Sequence, residues 1–130
     1  MTAFSLLELM IVLAVVATLL TIAVPSYQQY VQRSYRADAI RIILAAADCQ
    51  GRIKAETGFF DTSRCLMQVT GDAYTLTYEP VNDSKTEYFT VSVKPIMNVE
   101  DSCGTLSMDH TGTRGISNTG VSVSRCWGGR

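Results

Sequence analysis

The chain has 130 residues, and its 11 lysines and arginines against 12 aspartates and glutamates give a formal net charge of -1. This balance argues against a protein held to nucleic acid mainly by bulk charge, and the length excludes a large catalytic domain. Because the sequence contains one long apolar run, a multi-pass membrane protein is excluded as well.

Residues 4–24 form this apolar segment, which as a helix would be about 31 Å long, enough to cross a bilayer core. A secretory signal peptide would carry basic residues before the run and a small-residue cleavage site after it, and neither is present. An ordinary membrane anchor leaves Glu8 unexplained, since a carboxylate within an apolar helix is unfavourable in a membrane. The alternative for Glu8 is a side chain that simply reaches the lipid headgroups.

The N-terminal residues 3–36 resemble the start of type IV pilins and their relatives. The resemblance rests on Phe4 with Glu8 four residues later, the charge-free run that follows, and Pro25-Ser-Tyr at its end. It implies a leader at residues 1–3, cleavage between Ala3 and Phe4 by prepilin peptidase, and N-methylation of Phe4. The family usually has glycine before the cut, and Ala3 carries the next smallest side chain.

The resemblance also implies a role for Glu8 in assembly. The freed Phe4 amine is positive and Glu8 is negative, and both lie in an apolar bundle when subunits stack. Two buried charges are tolerated as a hydrogen-bonded pair, so an incoming amine that meets the Glu8 of its neighbour would fix the axial register.

Pro25 follows the apolar run and removes one helical hydrogen bond, so we expect a bend or a stretch that loosens when subunits pack. Thr18 and Thr21 are placed to satisfy the carbonyls that it frees. An ordinary proline kink without a role in assembly is the alternative. The expected organisation is a leader at 1–3, a transmembrane and assembly segment at 4–25, and a periplasmic globular domain at 26–130.

The helical pattern resumes at residue 26 and continues to about residue 56, with Gly58 as the expected stop. An apolar face of period 3.6 follows Tyr30, Ala37, Ile40, Leu44 and Ala47, and Ile43 widens it. Residues 74–79, 87–94 and 103–109 alternate as strands, and 110–115 form a glycine-bearing turn. Because the links are short, we predict an α+β fold: one long N-terminal helix with an antiparallel sheet of three or four strands on its C-terminal half.

Four cysteines allow three pairings in a compartment that permits disulfides. Sequential pairing, Cys49 with Cys65 and Cys103 with Cys126, closes two loops of similar length and is the simplest choice. A metal site fails on spacing, since no C-x-x-C or Cys/His cluster exists.

The sequence gives no reason to expect an enzyme or a cofactor. His110 is the one histidine, and the adjacent Asp109 is more often a solvated turn neighbour than a catalytic partner. Glu100 and Asp101 have the pattern of an acidic loop, and no nucleophile elbow or phosphate-binding loop is present.

A second resemblance covers CGTLSMDHTGTRG, residues 103–115, followed by the later Cys126-Trp127. It is similar to the end of small pilin-like subunits, often minor pilins. Some pilin-like subunits capture DNA, which needs a basic patch with aromatic residues. Arg114, Arg125, Arg130 and Trp127 are the candidate DNA contacts.

The preferred interpretation is a minor subunit of a type IV pilus that primes or tunes assembly. A DNA-binding competence pilin is the alternative, and a type II secretion pseudopilin is the third. The expected partners are other pilin subunits, prepilin peptidase and the inner-membrane assembly machinery, with DNA for the alternative. The expected location is the inner membrane before assembly and the cell-surface pilus afterwards.

Overall fold

The computed structural model describes residues 5–66, 73–96 and 101–128. In chain order, the elements are helix α1 (Leu6–Thr57), strands β1 (Tyr74–Glu79), β2 (Thr90–Pro95), β3 (Leu106–Asp109) and β4 (Arg114–Ile116), and helix α2 (Val123–Cys126). A long N-terminal helix followed by an antiparallel sheet confirms the predicted α+β class. The chain divides into two compact units, Met1–Arg33 and Ser34–Arg130, whereas the predicted segment limits at residues 3 and 25 stay predictions.

Helix α1 runs through Pro25 and ends where the sequence predicts. Gly58 has φ +83°, a left-handed conformation that strains a residue with a side chain, and its N–H donates to the Lys54 carbonyl at 2.8 Å. The helix therefore stops at a glycine cap.

The face of α1 that packs into the core of the second unit is shifted from the predicted one. Leu44 is 45% exposed, and Ala37 and Tyr30 are exposed as well, whereas Ile43 is fully buried. The residues of α1 that are buried are Ala39, Ile42, Ile43, Ala46, Gln50 and Ile53. Three adjacent apolar residues, 42–44, fit a helical period on either face. The sheet and the loop after the helix decide which face is covered, and local periodicity does not contain that information.

The sheet has the order β1-β2-β3-β4, with every neighbouring pair antiparallel, so the predicted meander is confirmed. One row across it consists of Thr77, Ser92, Ser107 and Gly115. Alternate positions are buried and form the core with α1, among them Tyr74, Tyr78, Val91, Val93, Leu106 and Met108. The opposite face carries mostly small hydroxyl side chains.

Strand β1 has its predicted bounds, and the other strands are shorter or shifted. β2 begins at Thr90, three residues later than predicted, and just before it Thr86 pairs with Phe60, through Phe60 N–H to Thr86 O at 2.9 Å and the reverse bond at 3.1 Å. β3 begins at Leu106 because Asp101 caps a turn, accepting the Cys103 N–H at 2.9 Å. Residues 114–116, predicted mainly as a turn, form β4.

A buried polar side chain of α1 holds the loop that follows the helix. Gln50 Nε2 donates to the carbonyls of Asp61 at 2.7 Å and Arg64 at 3.3 Å, and Gln50 Oε1 accepts the Asp61 N–H at 3.0 Å. Tyr78 Oη adds a bond to the Cys65 carbonyl at 3.1 Å. The loop is thereby fastened to both the helix and β1.

Candidate functional site

The first compact unit contains the described part of the apolar segment. Helix α1 contains one stretch that is long and apolar enough to cross a membrane. The mean hydropathy of this stretch is 2.6, and no part of it is buried. Glu8 lies exposed in the first turn of this helix. Its proposed pairing with an amine stays a prediction, and the processing residues Ala3 and Phe4 lie outside the described residues.

The two threonines near Pro25 do not act as expected. Thr21 Oγ1 donates to the Thr18 carbonyl and Thr18 Oγ1 donates to the Val15 carbonyl, each at 2.7 Å. Both hydroxyls therefore bond to carbonyls one turn earlier, because a helical threonine reaches back along its own helix. The Thr21 carbonyl, which Pro25 leaves without its usual donor, receives neither of them.

In the second unit, Cys49 is bonded to Cys65 and Cys103 to Cys126, the sequential pairing expected from the sequence. Cys103 and Cys126 are buried in the core, whereas Cys49 and Cys65 are half-buried. Cys49 and Cys65 also line an open cleft of about 370 Å³ beside α1, together with Arg52 and Arg64.

Of the candidate DNA contacts, the structure brings Arg114 and Trp127 together. The Arg114 Cζ lies 5.1 Å from the centre of the Trp127 ring. Trp127 is only 7% exposed, and its Nε1–H donates to the Gly115 carbonyl at 3.2 Å. The indole thus packs under β4 as part of the core, and the arginine covers it.

Arg125 lies exposed in the last turn of α2, and Arg130 lies outside the described residues. In residues 5–66, 73–96 and 101–128, the ion pairs join Arg36 to Asp101, Arg41 to Asp38 and Arg52 to Asp48. Neither Arg114 nor Arg125 belongs to that set, so their charges face solvent.

A second contact between a cation and an aromatic ring was not foreseen. Lys54 Nζ lies 4.2 Å from the centre of the Phe60 ring, and the His110 ring meets the same phenyl edge-on at 6.1 Å. The sequence gives no signal for it, because the three residues lie on a helix, a loop and a turn. His110 is exposed in its turn, as predicted.

The Asp109 carboxylate closes its own turn and does not pair with His110. Its Oδ1 accepts the N–H groups of Thr111 and Thr113, each at 2.9 Å. Hydrogen bonds from Thr111 and Thr113 hold the pKa of Asp109 below its ordinary value. Across the part of the chain that the structure describes, no cluster of His, Cys, Asp or Glu could hold a metal ion.

Asp101, predicted to lie in an acidic loop, is buried and receives several donors. Arg36 Nη2 donates to Oδ1 at 2.5 Å, and Tyr74 Oη donates to Oδ2 at 2.5 Å. Burial, the hydrogen bond to Asp101 and the negative charge of that carboxylate all raise the pKa of Tyr74, so the phenol stays protonated and donates.

Comparison with known proteins gives a family and a fold. A family model described as "Type IV minor pilin ComP, DNA uptake sequence receptor" matches residues 25–107. No curated protein sequence matches the chain.

Two solved structures have the same fold. A type IV pilin from Shewanella oneidensis aligns with a TM-score of 0.56 and 24% identity, covering 70% of this chain and 98% of that one. The non-core minor pilin PilV of Neisseria meningitidis aligns with a TM-score of 0.55 and 18% identity, covering 72% and 94%. These alignments show the fold, and the family match spans well over half of the sequence, so the chain belongs to the family of type IV minor pilins.

Proposed function

We propose that this chain is a minor subunit of a type IV pilus that binds DNA during DNA uptake. The observation that carries this proposal is the match of residues 25–107 to a family described as a DNA uptake sequence receptor. The sequence alone ranked DNA binding behind a role in priming or tuning assembly. The family description supports placing DNA binding first in this proposal.

The proposal is supported by two exposed cations of the second unit that form no ion pair within the described residues. Arg114 and Arg125 point to solvent at β4 and α2, which contact one another. A few such cations near aromatic residues suit phosphate recognition, although the net charge of -1 predicts a small number of contacts. We therefore expect binding that is local and strongly weakened by salt.

The test uses the full-length protein in detergent micelles and a fluorescently labelled duplex DNA. We expect saturable binding at moderate salt, with a log–log salt slope of about -2 to -3 because each phosphate contact contributes about -0.9. Replacing both Arg114 and Arg125 by alanine should flatten the slope by about two units.

The control is Arg41→Ala, which removes one positive charge from α1, where Arg41 pairs with Asp38 at 3.7 Å, and is compared with each single arginine variant. This variant should bind like the wild type. Absence of binding at moderate salt, or equal loss in the control, would contradict the DNA-binding proposal.

We also propose that the first unit anchors the protein and then packs into the filament. The apolar stretch of α1 is long enough to cross a membrane and is not buried, so it needs an apolar environment. The bilayer provides this environment before assembly, and neighbouring pilin helices provide it afterwards. Cleavage between Ala3 and Phe4 by prepilin peptidase and insertion by the inner-membrane assembly machinery belong to this proposal. Membrane fractionation of cells that lack the pilus, followed by pilus shearing in cells that make it, tests the two locations.

A further inference from the structure

We propose that Trp127 is a positioning residue: its indole supports the Arg114 guanidinium at the β4 edge, where the guanidinium N–H groups donate to a DNA phosphate. This inference rests on the proposed DNA-binding function and assigns separate roles within the site. Arg114 touches the DNA, and Trp127 acts only through Arg114. The sequence alone treated both residues as direct contacts.

The burial of Trp127 excludes it as a stacking platform for a base. A base stacks on a ring whose face is open to solvent, and only 7% of Trp127 is exposed. Its Nε1–H is engaged by the Gly115 carbonyl at 3.2 Å, and its neighbour Cys126 is bonded to the buried Cys103. The ring is therefore fixed from both its edge and its backbone.

Arg114 is the exposed layer above that fixed ring. Its Cζ lies 5.1 Å from the ring centre, within the range of a cation–π contact. When a guanidinium stacks on an aromatic face, its N–H groups lie in its own plane and are directed outward beyond the rim of the ring, where they can donate to two phosphate oxygens. Stacking also removes side-chain freedom before DNA arrives, so less entropy is lost on binding.

The backbone at β4 keeps the pair in place. Gly115 pairs with Ser107 of β3, and a Cβ at Gly115 would lie 2.6 Å from Ser107 Oγ, so any larger residue there would have to displace the serine hydroxyl. The same residue supplies the carbonyl that Trp127 binds. Arg114 and Trp127 are thus tied to one another through a single residue as well as through the cation–π contact.

The test is a double-mutant cycle in the full-length protein in detergent, with a labelled duplex DNA of mixed sequence as the probe. Arg114→Ala should weaken binding about tenfold and flatten the salt slope by about one unit. Trp127→Leu should weaken it about three- to fivefold, and Trp127→Phe, which keeps a flat ring, should stay within about twofold. In the Arg114→Ala background, Trp127→Leu should cause no further loss.

Two measurements distinguish a positioning role of Trp127 from a purely structural one. Arg114→Lys keeps the charge and loses the planar fork, so it should keep the salt slope while binding more weakly than the wild type. Trp127 is the one tryptophan of the chain, so its fluorescence reports directly on the ring. Stacking on a base would quench it strongly, and we expect little change when DNA saturates the protein.

The outcomes are distinct. Equal losses from Trp127→Leu in both backgrounds, or strong quenching by DNA, would overturn the positioning role and make Trp127 an independent contributor. Wild-type binding that Arg114→Ala leaves unchanged would overturn this inference alone. A wild-type protein that does not bind DNA at moderate salt would overturn the proposed function and this inference with it. Thermal unfolding of each variant identifies losses that only follow stability.

Discussion

Arg36 and Asp101 form a partly buried ion pair across 65 residues of sequence, with Nη2 to Oδ1 at 2.5 Å and Nε to Oδ2 at 3.3 Å. Tyr74 Oη and the Cys103 N–H donate to the same carboxylate. Helix α1, strand β1 and the connection before β3 therefore meet at one side chain, which is 1% exposed.

This carboxylate should make the stability of the globular unit depend on pH. Burial alone would raise the pKa of Asp101, but the bonds from Arg36, Tyr74 and Cys103 outweigh it and hold the pKa below its ordinary value. Since the folded pKa is the lower one, the stabilisation is complete above the unfolded value of about 3.9 and is lost as the pH falls below it. Asp101→Asn should lower the unfolding free energy by about 3 kcal/mol at pH 7 and by clearly less at pH 3.

Thermal or urea unfolding of the full chain in detergent, followed by near-ultraviolet circular dichroism at the two pH values, checks this. Asp48→Asn is the matched control, because Asp48 pairs with Arg52 on the exposed side of α1 and should matter little. An Asp101→Asn loss of the same size at both pH values would show that the charge is not what stabilises the contact.

Glu8→Ala should lower the amount of this subunit in sheared pili without changing its level in the membrane. If Glu8 pairs with the amine of a neighbour, its loss leaves a buried charge without a partner, which costs about 3–5 kcal/mol and shifts assembly some hundreds-fold. Glu56→Ala, at the other end of the same helix, is the control. A Glu8 that only reaches the headgroups would tolerate alanine, so equal incorporation would reject the pairing.

Intact-mass analysis of the membrane-extracted protein should show the loss of residues 1–3 and the gain of one methyl group. This expectation follows from the resemblance of the Ala3–Phe4 junction to pilin processing sites. A mature protein that retains Met1 would reject cleavage at this position.

The Cys49–Cys65 disulfide should be reduced before Cys103–Cys126 under mild dithiol treatment. The closed loops differ little, with separations of 16 and 23 residues, so both bridges restrict the unfolded chain similarly, by about 2–4 kcal/mol. They differ in access, because the first pair lines an open cleft and the second lies in the core. Alkylation and peptide mapping over time give the order in which the two disulfides are reduced. Simultaneous reduction would contradict the predicted order, and would mean that global unfolding exposes the second pair about as fast as the first pair is reduced.

Ile43→Ala and Leu44→Ala should show which side of the predicted apolar face of α1 packs into the core. Removing buried atoms at Ile43 should cost about 2–4 kcal/mol, whereas the same truncation at the half-exposed Leu44 should cost less than about 1 kcal/mol. Urea unfolding in detergent measures both, and the two residues serve as each other's control. A larger loss at Leu44 would restore the face first inferred from the sequence.

Local patterns predicted what depends on neighbours in sequence. The β1 bounds, the glycine stop of α1 and the meander order follow from alternation, from Gly58 and from short links. The predicted face of α1 was wrong at Leu44, which is half-exposed, although its other member Ile43 is fully buried, because the two side chains are equally apolar. The role of Asp101 was missed because its partners Arg36 and Tyr74 are distant in the chain, and no local pattern marks a carboxylate that will be buried.

Only part of the candidate site could be predicted from the sequence. Arg114 and Trp127 were both among the four candidate DNA contacts, because a basic patch with an aromatic residue was expected at the C-terminal end. Which of the two side chains covers the other could not be predicted. The sequence indicates that an arginine and an aromatic residue occur in the same region, but not which one is buried. The contact between Lys54 and Phe60 was missed because its members come from a helix end and a loop.

The Gln50 side chain bonds to Asp61 as one peptide group bonds to another, with a donor and an acceptor on the same planar amide. The Gln50 side chain thus pairs with the backbone of the loop after α1 in the way that a neighbouring β-strand would. A carboxylate of the same shape would place a negative oxygen against the Asp61 and Arg64 carbonyls and would lose both donated bonds. Position 50 is therefore sensitive to the exchange of a single nitrogen for oxygen, while the backbone of the loop, rather than its side chains, is what the helix recognises.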